Sequence, residues 1–320
     1  MLFHENIKCY NFVSLLKRNL QMTITYRAGT TEDSLPVFKV FLKSIMDYSE
    51  RMNVMAITGG NDPEQLASIW ERRKPLFDFL AKTASQFWLA EKDGEILGYA
   101  RTIEHDNVQE LTEFFVDPNQ QSAGVGGELL SRAFLNSGAQ YRTIIATLDE
   151  RALYRYMKMG VRARFMFKYF YRKAEKVNVP TDLKIEHMDL NIHLEQMNQI
   201  DKELVNHTRK DIHEWLVTVR EGFVYKREGN VDGYGYVGAN HGPFAVLDEN
   251  EFPAVLAHAE SLTAEKGEEF GAAVPLVNQK AIDYFLERKY KIDTFSALFM
   301  SNVPFGKFEN YLCFAPEFFL

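Results

Sequence analysis

At 320 residues the chain exceeds the usual length of one domain and suggests two of about 150. Hydrophobic residues at 46% and charged residues at 25% exclude a disordered or membrane-type composition, and a net charge of −7 argues against a nucleic-acid-binding surface. Two cysteines, Cys9 and Cys313, are too few for a disulfide framework; they point to a reducing cytoplasm and to packing roles for both thiols, and no run reaches the roughly 18 apolar residues of a membrane span.

Residues 1–21 scatter Lys8, Lys17 and Arg18 among short apolar runs with no small-residue cleavage site, which fits a secretory signal poorly. They are expected to be a disordered extension or an upstream start, with Met22 opening a first strand. Residues 31–50 read as a helix, with Asp33 or Ser34 as cap and Val37, Phe41, Ile45 and Tyr48 at helical spacing. After a Gly-Gly-Asn-Asp-Pro break a second helix is predicted over 63–82. Residues 87–91 and 96–101 flank an Asp-Gly turn and predict a hairpin. Then come a strand over 111–116, a glycine-rich turn, a helix over 126–137, a strand over 143–148, a helix over 149–159 and a strand over 162–171. That order is α/β with a mainly antiparallel front half.

Residues 177–182 have linker character, and from 183 the rhythm restarts. A short strand (183–186) is followed by a helix carrying His193, Met197, Ile200 and Leu204, then strands near 223–227, 233–239 and 244–246. A helix over 251–266, a strand over 270–276, a helix over 278–288 and a strand over 294–300 complete it. Two α/β units in tandem, 22–176 and 183–320, are the expected organisation, with the apolar stretch 311–320 buried. His187, His193, His207, His213, His241 and His258 lack metal-ligand spacing with cysteine support, so no metal is expected.

The chemistry is concentrated between Val116 and Leu130. A strand ends, a glycine-bearing turn follows, and a helix opens with Leu129 and Leu130 on its buried face. Such a turn aims backbone N–H groups into one space at the positive end of a helix, which suits a pyrophosphate. Glycine is required where a Cβ would block the approach or forbid a positive φ. The Walker pattern is absent, and Gly124-x-Gly126 runs on to Leu129, so the dinucleotide fingerprint fails as well. Alone, the segment could equally be a plain helix-capping turn.

A second segment lies some thirty residues on. Gln121-x-x-Gly124-x-Gly126 resembles the acetyl-CoA signature of the GNAT (Gcn5-related N-acetyltransferase) superfamily, and Asp149-x-x-Ala152-x-x-x-Tyr156-x-x-x-Gly160-Val161 resembles its second motif. The resemblance covers residues 23–175 and implies an acetyl-CoA-dependent enzyme. Backbone groups of Phe115 and Val116 would pair with the pantetheine arm, and the amides of Gln121, Ser122, Ala123, Gly124, Val125 and Gly126, with Gly127, would hold the pyrophosphate. Tyr156 would protonate the leaving thiolate. Ala152 lies in the second motif, where Asp149 stands in place of the usual Asn and puts that side chain's bond to the donor in question. Glu113, on the strand entering the donor site, is the candidate base that takes the proton of the amine; an ordinary solvated strand residue is the alternative. The first two helices and their connection select the acceptor in this family, which draws in Tyr48, Glu50, Arg51, Trp70, Glu71 and Arg72; ordinary surface positions are the alternative for each. The basic set Arg162, Arg164, Lys168, Arg172 and Lys173 reads as a solvated face.

In the second unit Asn278-x-x-Ala281-x-x-x-Phe285-x-x-x-Lys289-Tyr290 echoes the second motif without a hydroxyl at the acid position. The donor loop there is replaced by acidic residues that would repel a pyrophosphate. The tandem layout is similar to that of mycothiol synthases, with a degenerate second unit that completes the acceptor cleft or supports the first. The expected function is acetyl transfer to a small-molecule amine by a cytoplasmic monomer or homodimer, with no nucleic-acid or membrane partner. A non-catalytic acyl-CoA sensor or scaffold is the alternative.

Overall fold

The computed structural model describes residues 23–54, 63–120, 124–135, 137–238 and 240–313. The expectation for 1–21 lies outside them, as does the end of the apolar tail, 314–320. Strand β1 (Thr25–Ala28) leads to α1 (Ser34–Met52). The corner is set by Asp33, which accepts both Nη groups of Arg27 at 2.9 and 2.7 Å and the Thr30 amide at 2.9 Å. Asn53 closes α1 in the left-handed conformation (φ 51°). Helix α2 (Pro63–Thr83) follows, then the meander β2 (Gln86–Lys92), β3 (Glu95–His105) and β4 (Val108–Val116). The half ends with α3 (Val125–Ala133), β5 (Tyr141–Thr147), α4 (Glu150–Lys158) and β6 (Arg162–Lys173). Helix α3 stops short of the expected residue 137.

The second half runs β7 (Lys184–His187), α5 (Leu190–Val205), α6 (Lys210–Val219), β8 (Glu221–Arg227), β9 (Asn230–Val237), β10 (Phe244–Val246), α7 (Phe252–Glu265), β11 (Glu269–Pro275), α8 (Gln279–Glu287), β12 (Lys291–Ser301) and β13 (Tyr311–Leu312). Helix α6 has no counterpart in the sequence expectation. Its last residues, Val217-Thr218-Val219, favour strand through β-branching; burial of Ile212 and Leu216 decides for helix.

The α/β fold and the tandem arrangement are present, but the sheets do not follow the division of the chain. One sheet has the order β1-β2-β3-β4-β5-β12-β6-β11 and the other β13-β10-β9-β8-β7. The last strand of the second half, β12, is inserted between β5 and β6, with Phe299 opposite both Ile145 and Phe165. The first half's last strand, β6, in turn pairs with β11 from Lys173↔Glu269 to Phe167↔Pro275. The halves exchange their closing strands. A shared core seals the exchange: Leu76 and Leu80 of α2 pack in one cluster with Met197, Ile200 and Leu204 of α5 and Leu216 of α6.

Of the basic set on β6 expected as a solvated face, Arg162 and Lys173 are exposed, whereas Arg164, Lys168 and Arg172 join the halves. Arg164 donates to the Ser301 hydroxyl (2.9 Å) and carbonyl (3.0 Å), Lys168 donates to carbonyls of 293–295, and Arg172 to the Arg288 carbonyl. No helix among the described residues is long and apolar enough to cross a membrane.

Candidate active site

Strands β4 and β5 run parallel and pair only from Val108↔Tyr141 to Leu111↔Ile144; beyond that they part. The cause lies on β4. Thr102 of β3 faces Leu111 and Arg101 faces Glu113, so Thr112 is an extra residue in the ladder, its hydroxyl donating to the Arg101 carbonyl at 3.1 Å. Such a bulge bends the strand that carries it. A cleft opens between the ends of the two strands, lined by Thr112–Val116 on one side and Ile145–Thr147 on the other.

The cleft reaches both faces of the sheet. Phe114 points towards α3 and α4, where its ring meets Tyr156 edge-on at 6.2 Å. Glu113 and Phe115 alternate to the opposite face, beneath α1 and α2, where Phe115 meets Phe41 at 5.1 Å.

On the α3 face the helix begins at Gly124, whose φ of +82° places it in the left-handed region and whose missing Cβ would meet nothing within 4 Å. Among the described residues no side chain caps this terminus. The amides of Gly127 and Glu128 already turn back to the Gly124 carbonyl at 3.1 and 3.3 Å. Those of Val125 and Gly126 precede the first intrahelical bond. A Cβ at Gly126 would come within 3.0 Å of the Phe114 ring, so glycine is needed there for packing; at Gly127 the space is open. Gln121, Ser122 and Ala123 lie outside the described residues.

Tyr156 is buried and lines the cleft. Burial, and then the Asp149 charge, push its phenol well above the ordinary value, so it keeps its proton at neutral pH. Glu113, only 2% exposed, is no solvated strand residue. Arg101, fully buried, donates to Glu113 Oε2 through Nε at 2.7 Å and through Nη2, and to the Phe77 carbonyl at 3.0 Å. The guanidinium sits about 5 Å from the rings of Phe77 and Phe87. Glu113 Oε1 is buried and accepts no hydrogen bond within 3.5 Å, while the Tyr99 hydroxyl lies near enough to help stabilise the carboxylate. Desolvation raises the Glu113 pKa against the opposing pull of Arg101. The result is a carboxylate with one oxygen fixed and one able to accept a proton.

Residues 83–162 match the family model described as Acetyltransferase (GNAT) domain. A putative acetyltransferase from Pyrococcus horikoshii superposes with a TM-score of 0.69 at 17% identity, over 97% of this chain and 96% of its own. A tandem GNAT protein from the clavulanic acid biosynthesis pathway gives 0.58 at 11% identity, over 88% and 100%. A GCN5-related N-acetyltransferase from Sphaerobacter thermophilus gives 0.55 at 11%, over 87% and 95%. No curated protein sequence matches the chain. The chain has the tandem GNAT fold.

Within this GNAT fold Asp149 caps α4, accepting from the Arg151 and Ala152 amides at 2.9 and 3.1 Å. It also pairs with the guanidinium of Arg51 on α1 at 2.7 Å and with that of Arg151 at 3.1 Å, so it ties the two sides of the cleft together. Burial acts to raise its pKa, but the hydrogen bonds from Arg151 and Arg51 prevail and hold it at about 2, against 3.8 ordinarily. The folded state therefore favours the ionised form. Its contribution is present above about pH 4 and is lost as the pH falls towards 2. Asp149→Asn keeps the cap and removes the charge; it should cost about 2 kcal/mol near neutrality, shrinking as the pH falls from about 4 through 2, measured by urea unfolding across that range.

Of the acceptor-side candidates, Tyr48 and Arg51 line the cleft, whereas Trp70 packs against Phe38 at 5.0 Å in the core. Two lining residues, Phe295 and Ala297, come from the second half through β12. Sequence reasoning missed both, along with Arg101 and Arg73, because their place depends on strand exchange and helix packing and carries no local signal.

The second half shows the same local scaffold with the corresponding space filled. Asn278 caps α8 as Asp149 caps α4, accepting from the Ala281 amide at 2.9 Å. Lys289 adopts the left-handed φ of 59° where the first unit has Gly160 at 86°. Phe285, at the position of Tyr156, is fully buried and stacked on Phe170 at 5.3 Å. The free edge of β10 is taken by the chain's own β13, with Phe244 opposite Leu312 and Ala245 opposite Tyr311. Among the described residues no group of three or more His, Cys, Asp or Glu is placed to hold a metal.

Proposed function

We propose that the chain is an acetyl-CoA-dependent N-acetyltransferase acting on the amine of a small molecule, in a cytoplasmic setting that its two-cysteine composition supports. The observation that carries this reading is the two-faced cleft: a carboxylate with a free oxygen under α1 and α2, and a protonated phenol under α3 and α4. The donor supplies an activated acyl group as a thioester. Its pyrophosphate would lie at the start of α3, against the amides at Gly124–Gly126, and its pantetheine arm along the unpaired edge of β4 at Phe115 and Val116. Glu113 Oε1 takes a proton from the amine as its nitrogen attacks the thioester carbonyl from the α1 face. The C–S bond then breaks, and Tyr156 gives its proton to the departing sulfur on the other face.

Calorimetry with acetyl-CoA on the wild type and on Gly124→Asp tests the donor site. One donor per chain is expected, with affinity lost by at least ~100-fold in the variant, because the new carboxylate faces the pyrophosphate at short range. Two donors per chain would show that the second unit still binds. No binding at all would leave the second reading, a scaffold built on this fold. Donor binding without turnover of any amine, unchanged in Tyr156→Phe, would instead favour an acyl-CoA sensor.

A further inference from the structure

We infer that the second half reads the acceptor: Phe295, displaced from β12 into the cleft opposite Tyr48, selects amines carried on an apolar, preferably aromatic, body. This rests on the acetyltransferase reading above.

The ladder between β12 and β6 breaks at one place. β12 advances from Ile292 to Ser296 while β6 moves only from Phe170 to Lys168, so Asp293–Phe295 bulge out of the sheet. The bulge is held firmly. Lys168 Nζ donates to the carbonyls of Asp293 (3.1 Å), Thr294 (3.3 Å) and Phe295 (3.3 Å), and Asp293 Oδ1 accepts the Phe295 amide at 2.7 Å. A cation so placed serves to hold an irregular backbone, and what it presents is the Phe295 ring. That ring stands edge-on to Tyr48 at 6.3 Å, in a wall continued by Phe41, Ile45 and Ala297.

Two polar groups beside this wall are engaged with neighbours. The Ser44 hydroxyl donates to the Val116 carbonyl at 3.2 Å, and Arg51 pairs with Asp47 and Asp149. Glu113 Oε1 is left to meet the amine. An acceptor that fills this space presents nitrogen to Glu113 and apolar surface to Phe295 and Tyr48. Phe295, Phe41, Ile45 and Ala297 offer nothing to the hydroxyls of a polyhydroxylated amine, which would lose their water there without return.

The test uses the full chain with 2-phenylethylamine, hexylamine and glucosamine, following thiol release, and acetyl-CoA affinity by calorimetry. The wild type should turn over 2-phenylethylamine with kcat/KM at least ~10-fold above glucosamine. Phe295→Ala should lower the 2-phenylethylamine value roughly 10- to 100-fold, mainly through KM, with acetyl-CoA affinity unchanged, and Phe295→Leu should restore most of it. Preference for glucosamine, an equal loss for every amine, or a matching loss of donor affinity would overturn the inference. A wild type that binds acetyl-CoA yet acetylates neither apolar amine would overturn it while leaving the acetyltransferase reading in place. Failure to bind acetyl-CoA would remove both.

Discussion

Glu113→Gln is expected to lower kcat/KM for amine acetylation by about 10²- to 10⁴-fold, the usual weight of a positioned base, while acetyl-CoA affinity stays close to that of the wild type. The amide can still accept from Arg101 but cannot take a proton. The pH profile separates this from a general loss of structure. Burial raises the Glu113 pKa, so the wild-type rate should fall as the pH drops through that raised value, where Glu113 becomes protonated. That acid limb should be absent from the variant. The substitution also leaves the fully buried Arg101 without a counter-charge, which should cost on the order of 3–5 kcal/mol in urea unfolding. Combining it with Arg101→Met removes both charges and should recover most of the stability without the activity. Wild-type kcat/KM in Glu113→Gln, or recovery of activity in the double variant, would refute the assignment.

A stability effect of the same size is expected at Asp201→Ala, far from the cleft. Asp201 accepts from Arg209 at 3.0 Å, from His213 Nε2 at 2.7 Å and from the Tyr234 hydroxyl, and all four residues are at most 1% exposed. Burial alone would raise the Asp201 pKa; Arg209 and His213 outweigh it and hold the group well below the usual carboxylate range. Removing the carboxylate strands a buried cation and should lower the unfolding free energy by about 3–5 kcal/mol. Arg209 also donates to the Tyr311 hydroxyl at 2.6 Å, and Tyr311 lies on β13, the strand that fills the second unit's slot. Amide exchange should therefore accelerate at Tyr311 and Leu312 beyond the global effect. A loss under about 1 kcal/mol would mean that the network adds little net stability, as buried ion pairs sometimes do. Asp201→Asn, which keeps an acceptor, should fall between the two.

How much of this was legible follows the range of the forces involved. The glycine-bearing turn, the buried face of α3 and the echo of the second motif at Asn278 are properties of a few adjacent residues. Backbone sterics and helix-end hydrogen bonding act over that distance, so the sequence alone determined them. The two-unit rhythm was legible for the same reason. The bulge at Thr112, the Arg101–Glu113 pair, the insertion of β12 between β5 and β6 and the arrival of Phe295 in the cleft were not. Each joins residues remote in the chain, and alternation of apolar residues says that a strand is buried without saying against which partner. Helix α6 shows the same limit, since its β-branched end favours strand until packing against α5 decides otherwise. The residue types for the chemistry were written in the sequence; the open slot in the first unit and the filled one in the second were decided by which strand edges the tertiary fold left free, because a strand edge demands hydrogen-bond partners wherever the fold can supply them.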